Sequence, residues 1–313
     1  MTLLIFTGSA NIPLAEAITK TLGLQVGHRI VHRFPDGELH VEIHESVRGR
    51  DVYLLQPTSP PVEAHLLELL FLADACCRAG AARLTAVVPY FGYARQDRRA
   101  RGREPVGARL IAGILQTCGL QRVVAVDLHT TALEGVFPIP LEHLSAVPLL
   151  ADTVRPWVPP NAVIVAPDLG AVKLAEHYAE LLHLPLAIVH KTRLSGEEVR
   201  AQSVVGDVRG LTPIVIDDMV STGGTIEAAI KALLMAGCAQ NDITVVTSHA
   251  LLVGPAVERL RALPIQRFVA TDSVALPMGI PLPLHVASLN HLLAQAVKRL
   301  HHNQSLSDLL LHW

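Results

Sequence analysis

Charge is scarce in this sequence. Only 17% of its 313 residues are charged, and the formal net charge is −2. A chain so close to neutral has no bulk field with which to hold nucleic acid, so any anion site must be built locally. Long apolar runs are missing too. None reaches the roughly 18 residues that a membrane helix needs, and the N-terminal apolar stretch of about five residues, with no basic residue before it, is too short for a signal peptide. A membrane partner and a nucleic-acid partner are therefore not expected, and the expected location is the cytoplasm. The four cysteines, Cys76, Cys77, Cys118 and Cys238, form no C-x-x-C or zinc-type spacing and read as free thiols in a reducing compartment. The sixteen histidines form no H-E-x-x-H pattern, and no low-complexity segment occurs.

What is present is an apolar-rich globular chain, half of it hydrophobic and long enough for two domains. Short apolar runs at 3–6, 52–55, 84–88, 123–126, 162–166, 186–189, 213–216, 243–248 and 268–271 read as strands. Between them, 63–79, 107–118, 172–182, 225–236 and 254–263 carry helical patterns. This alternation predicts an α/β fold with parallel sheets in both halves. Pro138, Pro140 and Pro148 punctuate a boundary, giving domains 1–147 and 148–313, with the tail 289–313 free to return to the N-terminal domain. Open parallel sheets bind ligands at the carboxyl ends of their strands, which is where this sequence concentrates its carboxylates and glycines.

The most informative segment is IVIDDMVSTGGT (214–225). An apolar strand delivers Asp217 and Asp218. Ser221, Thr222, Gly223, Gly224 and Thr225 follow, and then a helix-forming run. Small residues let backbone N–H groups approach an anion, and the helix N-terminus adds favourable partial charge. Carboxylates repel phosphate, so their partners here are sugar hydroxyls or a metal. The pattern describes a ribose-phosphate site, with an ordinary capped turn as the plainer alternative. Further segments stand out: RFPDGELHVEI (33–43), whose D-G is also a plain hairpin signal; the Arg-rich PYFGYARQDRRARGREPVGARL (89–110), where guanidinium groups suit a polyphosphate; DLHTTALEGVF (127–137); APDLGAVKLA (166–175), where Asp168 also suits a helix N-cap; and HKTRLSGEEVRAQSVVGDVRG (190–210). Lys191 and Arg193 are two apart on an expected strand, so they share one face.

The 214–225 segment resembles the phosphoribosyl-pyrophosphate motif shared by phosphoribosyltransferases and ribose-phosphate pyrophosphokinases. The other segments, in one order over nearly the whole chain, resemble the pyrophosphokinases. The resemblance implies two tandem parallel-sheet domains of phosphoribosyltransferase type. It implies transfer of the diphosphate of MgATP to the C1 hydroxyl of ribose 5-phosphate, by an oligomer built on dimers. It further implies that Phe34, Asp36, Glu38, Arg95 and Gln96 bind ATP, with RFPDGE reaching across a subunit boundary. His129 would coordinate Mg²⁺ at the ATP phosphates or contact them directly. Asp168 would hold ribose hydroxyls or metal, Asp217 and Asp218 the hydroxyls, and Ser221 to Thr225 the 5-phosphate. Lys191 and Arg193 would be catalytic. Ser221 stands where the common form has an acid, Gly223–Gly224 where it has Ala-Gly, and KTRLSGEEV lacks the usual Arg/Pro-rich continuation, features that look archaeal-type. Two alternatives remain at this point, a phosphoribosyltransferase and a catalytically silent regulatory paralogue of the synthetase.

Overall fold

A computed structural model describes residues 1–99, 101–193, 200–240, 242–277 and 279–310, without the side chains of 191–193 and 200–202. The chain forms two compact units. The first holds Met1–Ser145, Ser273–Ala275 and the stretch from Ser288, and the second holds most of what lies between.

In the first unit the chain runs β1 (Leu3–Thr7), α1 (Ile12–Thr21), β2 (Arg29–Arg33), β3 (Leu39–Ile43), β4 (Asp51–Leu55), α2 (Val62–Arg78), β5 (Arg83–Val88), α3 (Gly107–Thr117), β6 (Arg122–Val126) and β7 (Leu141–Leu144). The five-stranded sheet has the order β1-β4-β5-β6-β7, parallel throughout. Strands covered on both faces must be apolar without alternation, and all five residues of β4, Asp51 included, are buried. One side of the core joins Leu54, Ala86 and Val88 to Leu69, Leu72 and Cys76 of α2 and to Ile111 and Leu115 of α3. The β2–β3 hairpin is a separate two-stranded ribbon. Its inner face packs Val41 and Ile43 against this core, and Arg29 Nε donates to Thr7 O at 2.6 Å, tying its base to the end of β1.

The second unit contains α4 (Val147–Val154), β8 (Ala162–Ala166), α5 (Val172–Leu182), β9 (Leu186–Arg193), β10 (Arg200–Val205), β11 (Thr212–Val220), α6 (Gly224–Met235), β12 (Ile243–Ala250), α7 (Ala256–Arg261), β13 (Ile265–Thr271) and β14 (Leu284–Ala287). Its seven-stranded sheet has the order β10-β9-β8-β11-β12-β13-β14. β10 pairs antiparallel with β9 and the remaining pairs are parallel. The sheet is therefore mixed, where a purely parallel one was expected. β10 (RAQSVV) follows β9 as a hairpin partner at the sheet edge, and an edge strand needs no continuous apolar run. β11 also departs from expectation. It does not stop at its acids but continues pairing with β12 through Asp217↔Thr247, Met219↔His249 and Val220↔Ala250. On its other side, pairing with β8 covers only Thr212 to Val215.

α8 (Asn290–His301) closes the first unit. Its apolar stripe of Leu293, Ala294, Ala296, Val297 and Leu300 is buried, and it packs on α1. A polar clamp fixes its end. Asp51, 1% exposed, receives an ion pair from Arg83 and a contact from His301 Nδ1 at 2.7 Å. Arg83 also donates to the His301 carbonyl at 3.0 Å and to Asn303 at 2.9 Å. A buried charge left without its partner is costly. We therefore expect Arg83→Met to lower the unfolding free energy by about 3 kcal/mol, read by urea denaturation. His301→Ala, which leaves Asp51 paired to Arg83, should cost less. Equal stability of Arg83→Met and the parent would show that the clamp contributes nothing.

Candidate active site

The second unit places its chemistry at the carboxyl edge of β8 and β11. Asp168 follows β8, which pairs with β11 as far as Val165↔Val215, and its charge acts on Asp217 of β11. Asp168 caps the turn that follows, since its Oδ1 accepts from the Gly170 N–H at 2.9 Å and from the Ala171 N–H at 3.3 Å. The plain N-cap reading of Asp168 is thus present in the structure, and it holds the carboxylate at the strand end. Asp217 Oδ1 accepts from the Asp218 N–H at 3.0 Å. Burial, then the charge of Asp218, then that of Asp168 push the Asp217 carboxyl well above the ordinary aspartate range. Thr247, the register partner of Asp217, is fully buried, and its hydroxyl makes no hydrogen bond among the described residues.

Beyond the acids, Ser221 and Thr222 lead to Gly223 (φ +75°), the residue before α6. A left-handed backbone there favours glycine. Among the described residues no side chain caps α6, although Ser, Thr, Asp or Asn usually does so. The helix N-terminus, Gly224 and Thr225 with their N–H groups, is left to an outside acceptor, which is the geometry for an anion. The loop rests on the segment after β12. Leu251 and Leu252 donate to Val220 O, and Val253 donates to Ser221 O at 3.0 Å. Arg259 of α7 donates to Thr222 O at 3.1 Å and stands 3.5 Å from Glu227 of α6. Glu227 is also held by Lys231 at 2.7 Å, which lowers its pKa. Arg259 and Thr247 escaped the sequence reading. Arg259 lies 37 residues from Thr222, and nothing in a single sequence joins such a pair.

Lys191 and Arg193 are adjacent same-face positions at the end of β9, paired with Gln202 and Arg200 of β10. Their side chains, and residues 194–199, lie outside the described residues.

In the first unit the expected ATP residues lie at two places. Phe34, Asp36 and Glu38 form the exposed tip of the β2–β3 hairpin. Gly37 (φ +95°) donates to Phe34 O and Phe34 donates to Glu38 O, so the D-G turn reading holds. Phe34 is 43% exposed and lies against His32 and His40. Arg95 and Gln96 are exposed in the turn after β5, where Gln96 N–H donates to Tyr93 O at 2.8 Å. His129 is exposed just past β6. Before it, buried Asp127 adopts φ +38°, an uncommon conformation for a residue with a side chain and one that clusters at functional sites. Leu128 N–H donates to His143 Nε2 at 2.8 Å and fixes the approach.

Comparisons with known proteins agree with this division. Residues 3–119 match the N-terminal domain of ribose phosphate pyrophosphokinase, and residues 157–261 match the phosphoribosyl transferase domain. A ribose-phosphate pyrophosphokinase of Rhodopirellula baltica is 43% identical over 309 residues, covering 97% of each chain. The chain belongs to the ribose-phosphate pyrophosphokinase family. Another member, from Staphylococcus saprophyticus, is 42% identical over 97% of this chain and 96% of its own. The crystal structure of phosphoribosylpyrophosphate synthetase from Mycobacterium smegmatis superposes with a TM-score of 0.91 at 38% identity, covering 97% of this chain and all of that one. The family membership accounts for two α/β domains in tandem. Among the described residues no helix is long and apolar enough to cross a membrane, and no group of three or more His, Cys, Asp or Glu could by itself hold a metal ion.

The crowded acids make a test available. An acid whose folded pKa is raised binds more protons folded than unfolded, so it lowers stability as pH rises through and above the ordinary aspartate range. Asp217→Asn should therefore melt higher than the parent at pH 7.5, with the gap closing toward pH 4, while activity falls. A lower melting temperature at pH 7.5 would show that Asp217 is not under strain from its neighbours.

Proposed function

We propose that this chain synthesises phosphoribosyl pyrophosphate, moving the diphosphate of ATP onto ribose 5-phosphate, with the strand-end residues above in the roles the family resemblance implies. The observation that carries this reading is the match at 41–43% identity along 97% of the chain to ribose-phosphate pyrophosphokinases, including an N-terminal domain named for that enzyme. A phosphoribosyltransferase needs no such second nucleotide segment. A silent paralogue is disfavoured by Lys191, Arg193, His129 and the Asp pair, all present in the sequence.

In this reading the uncapped start of α6 and the loop from Ser221 to Thr225 hold the 5-phosphate. Asp217 and Asp218 accept hydrogen bonds from the 2- and 3-hydroxyls. The C1 hydroxyl oxygen then forms a bond to the β-phosphorus of ATP. The bond from that phosphorus to the oxygen bridging to the α-phosphorus breaks, AMP departs, and the hydroxyl proton is lost to solvent. No residue is assigned as general base. Catalysis of this type is positioning and charge stabilisation. Lys191 and Arg193 meet the negative charge developing on the transferred group. Arg95, Gln96, Phe34, Asp36 and Glu38 bind ATP.

The donors suit Mg²⁺, a hard cation that takes oxygen ligands and is shared with substrate phosphates rather than caged by protein. In the second unit Asp168 offers carboxylate oxygen beside Asp217; in the first, His129 at the β6 end offers one exposed nitrogen. Held by either, Mg²⁺ would neutralise phosphate charge. The free cysteines fit a cytoplasmic setting.

An exposed phenylalanine and two acids at a hairpin tip fit a site completed by a second copy, so we expect a homo-oligomer built on dimers. Monomers prepared by dilution, checked by light scattering, should be inactive, and a fully active monomer would contradict the assembly. The chemistry is tested by incubating the protein with ATP, Mg²⁺ and ribose 5-phosphate and measuring AMP with phosphoribosyl pyrophosphate. Lys191→Ala and Arg193→Ala should each lower kcat by roughly 10²–10³-fold while changing KM for ribose 5-phosphate little. Near-normal kcat in a folded variant would sink the catalytic assignment while leaving the family membership intact.

A further inference from the structure

We propose that Arg259 is a positioning residue for ribose 5-phosphate, acting through the Thr222 carbonyl and through Glu227 rather than by touching the substrate. The inference rests on the reading that the loop from Ser221 to Thr225 holds the 5-phosphate. An anion loop works only if its peptides present N–H rather than C=O. Peptides are planar and trans, so fixing a carbonyl on one side turns the N–H of the same peptide to the other. The successive carbonyls leading through this loop are taken by donors from the segment after β12 and from α7. Val220 O is held by the Leu251 and Leu252 N–H groups, Ser221 O by Val253 N–H, and Thr222 O by Arg259 Nη1 at 3.1 Å. The first two anchors are backbone and do not depend on side-chain identity. The third is one side chain, and the peptide it fixes carries the N–H of Gly223, the residue at φ +75° that opens α6. Without Arg259 that peptide is the least restrained in the loop, because glycine permits either orientation.

Charge gives Arg259 a second task. Glu227 sits in the first turn of α6, where a carboxylate competes with a phosphate for the partial positive charge of the helix end. Arg259 Nε lies 3.5 Å from Glu227 Oε2 while Lys231 holds the other oxygen at 2.7 Å. Two cations on one carboxylate leave the helix end attractive to an anion. Gly224 fits the same picture: a Cβ there would lie 3.5 Å from Arg259 Nη1, so the guanidinium backs the loop directly.

The test uses the full chain and ribose 5-phosphate, by isothermal titration and by steady-state kinetics with both substrates varied. Arg259→Ala and the nearer-sized Arg259→Gln should weaken ribose 5-phosphate binding and raise its KM about tenfold, the scale of one lost hydrogen bond to a charged group. KM for ATP should stay within twofold and kcat within threefold. Arg259→Lys should recover part of the loss by restoring the charge. Glu227→Gln added to Arg259→Ala should also recover part, by removing the competing carboxylate. A merely structural arginine would lower the melting temperature and shift both substrates together, with no recovery from either change. Thr225→Asp, which puts a carboxylate at the helix end, serves as the control for the loop itself. If Thr225→Asp abolishes binding while Arg259→Gln binds normally, the inference about Arg259 is overturned and the loop reading stands. If Thr225→Asp binds normally, the loop reading falls and the inference with it.

Discussion

Repulsion among Asp168, Asp217 and Asp218 is the constraint around which the second unit is arranged. Asp168 after β8 faces Asp217 and Asp218 within β11, and burial together with its charged neighbours makes Asp217 hold its proton more tightly than a solvated aspartate does. The fold supports such a cluster because β11 is anchored elsewhere. Its first half lies between β8 and β12 with Ile214, Val215 and Ile216 buried, and its second half is held by β12 alone. The β8 ladder stops at Val215, before the acids, and the longer β12 is what keeps them in place. Stability and site are thus carried by opposite sides of the same strand, and hydroxyls or a cation brought to the acids relieve a cost already present in the fold.

The elements legible in the sequence are those with burial on both faces. β5, β6 and β8 read as continuous apolar runs because helices cover both sides of a parallel sheet, and α5 was legible to the residue. What escaped were edges and interruptions. β7 (LEHL), β10 (RAQSVV) and β14 (LHVA) are short or polar strands at or beside sheet edges. Pro148, read as boundary punctuation, stands inside the first turn of α4, where a missing N–H costs nothing. The helical stretch expected from 254 to 263 is only Ala256–Arg261, beginning after Pro255. The acids of β11 read as the strand's end because polar residues usually mark one, yet the ladder continues to Val220 because β12 runs on to Ala250 beside it.

The candidate site divides along the same physical line. Glycines, acids and hydroxyls leave a local pattern, so Asp217, Asp218 and the Ser221–Thr225 loop stand out as candidates from their spacing. Arg259 meets Thr222 and Glu227, and Thr247 faces Asp217 across the ladder, through tertiary neighbours alone, which leaves no local signal. Asp168 shows how one residue satisfies both levels: its Oδ1 caps the turn after β8, and its charge is felt at Asp217. A capping bond restricts the carboxylate's rotamer, so the local role is what gives the distant one a fixed geometry.

Ser221 follows from this electrostatic arrangement. An acid at that position, as in the common form of the motif, would add a further negative charge to a strand end that already shifts the titration of Asp217. It would also stand ahead of the α6 N-terminus, whose partial positive charge an acid would compete for. A hydroxyl donates or accepts without charge, so the loop from Ser221 to Thr225 stays neutral. The charged groups that govern it, Arg259, Glu227 and Lys231, are paired with one another through side chains on α6 and α7. Negative charge is thereby kept on the strand, where the proposed partners are sugar hydroxyls or a cation. The loop keeps only backbone dipoles and hydroxyls, and a single ligand carrying both a phosphate and hydroxyls matches both parts.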